Sequence, residues 1–334
     1  MERKNISVKE IAKLAGTSVA TVSRVINQNG RFSKETEKRV RDIIEQYDYR
    51  PNQLARGLRV NHARAIGLMV PDITNEFFAR IIREIQKNLL VHNYVTLICN
   101  SNEDEKEARE QIEMFLSYKV SGIIYIGGEN VIESHNIPTL YIDRDPRDVQ
   151  IRLSNEHVMI ECDNIQGGYL AGRELLRAGA KNVRVVGYNA DLSTVRKRVE
   201  GFKKAFTEAG IALEEDLFVD VREVSIQEGE RAVKEITEKS KEVDGIFFTS
   251  DVLAIGGMEY LKKAGIKIPK EMKIVGFDDI SAGQIIDPHL TTIHQPIETF
   301  GELAAELILK MIEKKEIETN KYRIPVELVT RQTT

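Results

Sequence analysis

Cysteine is scarce, with only Cys99 and Cys162 in 334 residues. Two thiols cannot build a disulfide framework, and these two do not stand at a metal-ligand spacing. Both end apolar runs and read as buried thiols. Long hydrophobic runs are missing as well. No segment approaches the roughly 20 apolar residues that a membrane-spanning helix requires. The opening MERKNISVKE is charged and has no apolar signal core. These absences predict a soluble, cytoplasmic chain with no membrane partner. Catalytic signatures are lacking too: there is no G-x-S-x-G elbow, no Walker A glycine loop and no G-x-G-x-x-G after a predicted strand. His62, His92, His135, His157, His289 and His294 are scattered without a Ser, Cys or metal constellation. His157 and His294 adjoin predicted strands and read as structural. No enzyme activity, metal or cofactor is expected.

The composition, 42% hydrophobic, is sufficient for sizeable cores, and the length predicts two or three domains. The net charge of −4 hides an asymmetry. Residues 1–64 carry 14 Lys+Arg against 7 Asp+Glu, a surplus of +7, while the remainder totals −11. A small basic head on an acidic body suits a polyanion-binding module attached to something of another kind.

The head is organised around Ser7 to Asn27, SVKEIAKLAGTSVATVSRVIN. Ser7 followed by Glu10 is a capping box. Ile11, Leu14 and Ala15 then give one apolar face at helical spacing. After the turn Ala15-Gly16-Thr17, Ser18 caps a second helix with Val22, Val25 and Ile26 inward. Val19, Ala20, Thr21, Ser23 and Arg24 fall on or near its exposed side. Two short helices around a small-residue turn predict a helix-turn-helix whose second helix reads a DNA groove. Ser33 caps a third helix through about Tyr47, with Val40, Ile43 and Ile44 inward. Tyr49-Arg50-Pro51-Asn52 closes the unit, because a residue before proline disfavours helix. Gln53 to Val60 has helical character over only about two turns, and Gly57 penalises helix by ~1 kcal/mol relative to alanine. It reads as a linker, or as a hinge that becomes helical when held against DNA.

From Ala65 onward, strands alternate with helices in two successive series, the second beginning near Val158. This predicts an α/β body of two doubly wound, parallel-sheet lobes. Ligands of such folds bind in the crevice at the carboxyl ends of the strands. The polar residues there run from Asp72 to Phe78, then Asn100, Asn102, Asp143 and Arg144. In the second series they are Asp163-Asn164, Asn189 to Arg198, Ser250-Asp251 and Asp278-Asp279. Carboxylates and guanidiniums fork to vicinal hydroxyls while an aromatic face covers an apolar ring, so the mixture suits a hydroxyl-rich small molecule.

Several motifs in order, VKEIAKLAGTSVATVSRVIN, YRPNQLARGL, IGLMVPDITNEFFARII, IECDNIQGGYLAGREL, VRKRVEGF, FTSDVLAIGG, IVGFDD and LTTIHQP, span nearly the whole chain. Together they resemble the lactose- and galactose-repressor family of bacterial transcription regulators. The resemblance implies a homodimer, paired heads on a roughly palindromic double-stranded operator, and an effector bound between two periplasmic-binding-protein-like lobes. It also implies a division into a head at 1–50, a hinge at 51–62 and a body at 63–334. The first lobe takes about 63–161 and 292–321, the second about 162–291 and 322–334. Val19 and Ala20 match the variable base readers and Arg24 the retained groove arginine. Ser7, Ser18, Thr21, Ser23 and Asn27 match positions that hold phosphates or set the helix. Leu58 matches the leucine wedged into the central base step, with Asn52, Ala55 and Arg56 on the same hinge; Gly57 stands where many relatives carry serine. Sugar-contact positions carry over to Asn75, Phe77, Phe78, Asn102, Asp143, Arg144, Arg196, Asp278 and Gln295. Ser250, beside Asp251, replaces a frequent asparagine. The implied effector is sugar-like, pentose-like by Asp143-Arg144 and Phe77-Phe78, with a purine as the rival. Tetrameric members carry an extra C-terminal leucine-heptad helix, whereas this sequence ends at RQTT, which favours a dimer.

Two other readings compete. A transport solute-binding protein accounts for the lobes but not the head. A regulator answering to a phosphorylated carrier protein would need a basic surface on the first lobe, for which Arg80, Arg83 and Lys87 are candidates.

Overall fold

Ser7 starts the first helix, α1 (Val8–Leu14), by the reciprocal bonds its spacing to Glu10 predicts. Its hydroxyl accepts from the Glu10 amide at 3.3 Å, and Glu10 Oε2 accepts from the Ser7 amide at 2.7 Å. Gly16, at φ 59°, turns the chain. Ser18 then caps α2 (Val19–Asn27) by accepting from the Thr21 amide at 3.1 Å, and Ser33 caps α3 (Lys34–Gln46) in the same way through Thr36. The structure is a computed structural model that describes residues 6–49, 64–128, 137–145 and 157–334. It divides into units at Met1–Ala63 and Arg64–Thr334.

The core of the head is Ile11, Ala12, Ala15, Val22, Val25 and Val40. Two expectations are corrected there. Leu14 is 54% exposed, and Ala12 takes the inward place. Residues 11, 12 and 15 share one side of α1, and Leu14 points about 100° from its centre. Val19 is half-buried and packs on this core rather than standing clear of it.

In the body, β1 (Ala65–Val70), α4 (Glu76–Val91), β2 (Val95–Asn100), α5 (Glu105–Ser117), β3 (Gly122–Ile126), β4 (Thr139–Ile142) and β5 (His157–Cys162) build the first lobe. The second contains α6 (Asn164–Arg177), β6 (Val183–Tyr188), α7 (Ser193–Glu208), β7 (Phe218–Val221), α8 (Ile226–Lys239), β8 (Gly245–Phe248), α9 (Asp251–Ala264), β9 (Lys273–Asp278) and β10 (Thr291–His294). The chain returns to the first lobe with α10 (Ile297–Ile312) and β11 (Lys321–Ile324), then ends in the second with β12 (Glu327–Val329). The six-stranded sheets run β11-β5-β4-β3-β1-β2 and β12-β10-β9-β8-β6-β7, parallel except for the β10–β12 pair. The later crossings thus fall after His294 and after Ile324, slightly beyond the expected positions near 292 and 322. Pro296 and Pro325 stand at these points, and proline lacks the N–H with which a strand would continue.

The inner strands of the first sheet are buried on both faces, as parallel sheets covered by helices must be: β1, β3, β4 and β5 are buried throughout. On the first sheet α10 packs beside α4. In the second lobe, α6 packs on α7 and α8 on α9. Glycines set the α6–α7 spacing. A Cβ on Gly201 would stand 1.9 Å from the Ile165 carbonyl oxygen, and one on Gly168 1.9 Å from that of Arg198. Among the described residues, no helix is long and apolar enough to cross a membrane.

Candidate nucleic-acid interface and ligand cleft

On α2, Ala20, Ser23 and Arg24 are exposed and Thr21 is half-exposed, while Val22 and Val25 anchor the helix to the core. Ser7 and Ser18 are helix caps, and Asn27 is the last residue of α2. Arg24 extends along Gly30, where an added Cβ would lie 3.2 Å from its Cδ. Thr21 Oγ1 is 3.0 Å from Ser18 Oγ. The helix therefore presents small side chains with a single long cation at Arg24. Asn52, Ala55, Arg56 and Leu58 lie outside the described residues, as does the whole expected hinge.

In the body the strands of both sheets end at a cleft of about 560 Å³. The first lobe contributes Asn75, Phe77, Phe78, Asn102, Asp143 and Arg144, and the second Ser250 and Asp278. Asn75 caps α4, accepting from the Phe77 amide at 3.0 Å, and so brings the aromatic pair to the wall. The two rings lie 5.3 Å apart at 57°. Asn102 has its amide engaged on its own lobe, donating to Glu107 at 2.7 Å and accepting from Asn100.

Three of the expected contact residues are elsewhere. Arg196 is exposed and donates to the Asp191 carbonyl at 3.1 Å. The arginine of this helix that enters the cleft is Arg198, one turn beyond Thr194, which also lines it. Two residues along a helix is a rotation of about 200°, so 196 and 198 face nearly opposite ways. Arg198 is buried. It donates to Asn164 Oδ1 at 2.7 Å and to the Thr249 carbonyl at 2.6 Å, with its guanidinium 3.5 Å from the centre of the Phe277 ring. Asp251 is wholly buried behind the wall, accepting from Thr292 Oγ1 at 2.6 Å and from the Ile280 amide at 2.9 Å. Gln295 lies behind Asp278 and donates to its Oδ1 at 2.8 Å. Both brace the site without lining it.

The strand-end rule contained Arg198 but did not distinguish it from its neighbours. It missed Arg222 to Ser225 entirely, a stretch that lines the cleft after the short edge strand β7. Ser225 capping α8 through the Glu228 amide was the available signal. Glu103 and Tyr188 are further lining residues that were not anticipated.

Burial dominates the electrostatics. It pushes the Asp278 carboxyl up to about 7, against the pull of the Arg198 charge and with a push from Asp143. Asp143 is raised by the same burial, opposed by Arg198 and Arg144. Its buried Oδ1 has no hydrogen-bond partner among the described residues. A buried acceptor without a donor is costly, so an incoming hydroxyl has a ready place there.

Direct bonds join the lobes around this cleft. Glu76 Oε1 accepts from the Ser281 amide and hydroxyl at 2.8 and 2.7 Å, and Arg80 donates to the Asp279 carbonyl at 3.1 Å. Lys197 of α7 pairs with Asp145 at 2.5 Å and with Glu161. Arg83 and Lys87 both pair with Glu84, at 3.2 and 3.0 Å. All three cations offered for a phosphorylated carrier are thus already engaged.

Residues 7–52 match the profile of bacterial regulatory proteins of the lacI family, and residues 173–334 that of a periplasmic binding protein-like domain. The ribose operon repressor of Halalkalibacterium halodurans is 33% identical over 335 residues, covering 98% of this chain and 97% of that protein. A LacI family transcriptional regulator from Enterococcus faecium, solved with bound ribose, is 31% identical. It covers 81% of this chain and 98% of its own, at a TM-score of 0.69. The lac repressor dimer bound to operator and an anti-inducer reaches a TM-score of 0.84 over 99% of both chains. At 20% identity that likeness is one of fold.

Proposed function

Because the chain belongs to the lacI family of bacterial regulatory proteins, we propose that an uncharged pentose in the cleft controls its hold on operator DNA. It is a DNA-binding transcriptional repressor with an effector-binding body. Its place of action is the cytoplasm, where operator DNA is found. The observation that carries the ligand reading is the pair of buried carboxyls, Asp143 and Asp278, on opposite walls beside Arg198. With Phe77 and Phe78 they offer acceptors for hydroxyls and an apolar face for a ring. The ribose named for the two relatives supports the same class.

The head acts as one of two in a homodimer, reading paired half-sites. In the body, β2 is an edge strand whose Val95 and Ile98 are exposed beside Leu90, Val91, Met114 and Tyr118. An apolar edge of this extent supports a second copy as its cover. Effector binding shifts the lobes, and coupling of ~1–3 kcal/mol changes operator affinity 5- to 150-fold.

Titration calorimetry of the full chain with pentoses, hexoses and purines, paired with operator binding in their presence, tests this reading. A pentose that binds and changes operator affinity supports it. A purine that binds where no sugar does, or a sugar that binds without altering operator affinity, defeats it.

A further inference from the structure

Asn102 and Glu103 form the centre of a tight turn after β2. The Asp104 amide donates to the Ser101 carbonyl at 2.8 Å, and both central residues have left-handed backbone, φ 52° and 59°. This is the pattern of a type I′ turn, in which Gly, Asn and Asp dominate the central positions. Asparagine suits position 102. Glutamate at 103 does not, and a disfavoured backbone of this kind points toward function when the side chain has a task.

The task is visible 41 residues away. Arg144 donates from Nη1 to Glu103 Oε2 at 2.7 Å and from Nη2 to Oε1 at 3.0 Å. Its side chain is 8% exposed against 36% for that of Glu103, and both residues line the cleft. Arg144 Nε is also 4.0 Å from Asp143 Oδ2. The guanidinium is thereby enclosed between two carboxylates. Its bidentate fork is the feature of the cleft that a phosphate would seek, and Glu103 already occupies it.

We propose that Glu103 is a specificity-determining residue that bars phosphorylated sugars from the cleft by withholding Arg144 from them. The proposal rests on the sugar reading above. An uncharged sugar needs no counter-charge and meets no penalty from the Glu103 carboxylate, whereas a phosphate ester meets its repulsion and finds the Arg144 fork already taken. Glutamine at 103 keeps one acceptor for Arg144 and removes the charge that repels a phosphate. Asparagine suits the turn and is shorter by one methylene, so it tests the same point in a favoured backbone.

Calorimetry on the full-length wild type, Glu103→Gln and Glu103→Asn would use D-ribose, D-ribose 5-phosphate and inorganic phosphate. The wild type is expected to prefer ribose. In either variant the preference should shift toward the phosphate ester by at least tenfold, about 1.4 kcal/mol, with inorganic phosphate gaining likewise. A wild type that prefers the phosphate ester overturns the proposal. So does a failure of both folded variants to gain affinity for ester or phosphate. If no protein binds ribose while the variants gain tenfold for inorganic phosphate, the role of Glu103 stands and the sugar reading falls.

Discussion

Asp143 and Asp278 hold matching stations in the two sheets. The strand orders correspond position by position, with β4 in the first sheet standing where β9 stands in the second. Asp143 directly follows β4 and Asp278 ends β9, and both have positive φ, 80° and 115°. Each such backbone costs on the order of 1–3 kcal/mol. Both carboxyls reach the cleft from these strained ends, one from each lobe, so a ligand touching both joins the lobes through groups already in place.

Arg198→Met should abolish the effector response. It removes the donors to Asn164 and Thr249, and losing a charged hydrogen bond costs about 1.5–3 kcal/mol of stability. Arg196→Ala should leave effector binding within twofold of wild type, because that side chain faces solvent. Calorimetry on the two variants decides it; equal losses would place Arg196 in the site after all.

The Asp278 carboxyl gives a signed pH dependence. Its folded value of about 7 lies above the ordinary 3.8. Below about pH 4 the folded and unfolded states both hold the proton. Between there and pH 7 only the folded state does, so its contribution to stability falls as pH rises, by ~4 kcal/mol at most. Asp278→Asn should therefore match wild type in Tm near pH 4 and exceed it by several degrees at pH 8. A gap that stays constant across that range would show that the raised value is wrong.

Gly201→Ala should destabilise the body by ~1–3 kcal/mol or more, since the new methyl meets backbone that cannot rotate away. Because α7 also carries Arg198, ligand affinity should fall with it. Thermal unfolding and calorimetry read the two effects together. A neutral result would mean that α6 and α7 separate freely.

Arg24→Ala should relax base preference at one symmetric operator position, costing ~1–3 kcal/mol there. Competition between operator and random duplexes measures this. Equal weakening on both would make Arg24 a phosphate contact.

The head was readable residue by residue because its determinants are local. Ser7, Ser18 and Ser33 each cap a helix through an amide three residues on, a relation visible in the sequence itself. The exceptions, Leu14 and Val19, failed because the packing of three helices against one another decides which sides of α1 and α2 are covered. In the body, the alternation of strands and helices from Ala65 onward marked the two series, while the short edge strand β7 and the loop Arg222 to Ser225 behind it passed unnoticed. Asp251 and Gln295 stand at strand-end positions like true lining residues, and only their partners, Ile280, Thr292 and Asp278, reveal that they brace the wall from behind.

The sequence by itself determined the family, the helix caps, the two strand–helix series and the strand ends where a ligand belongs. The family rests on the resemblance of motifs spread along the chain; the rest follow from periodicity and short-range hydrogen bonding, which depend on neighbours a few residues apart. The tertiary structure alone decided that Arg198 and not Arg196 enters the cleft, and that Glu103 occupies Arg144. The rotation of α7 is set by its glycine contact with α6, and the Glu103–Arg144 pair joins the end of β2 to the end of β4 across two intervening strands. Each depends on atoms brought together from distant parts of the chain, a relation that spacing along the sequence does not encode.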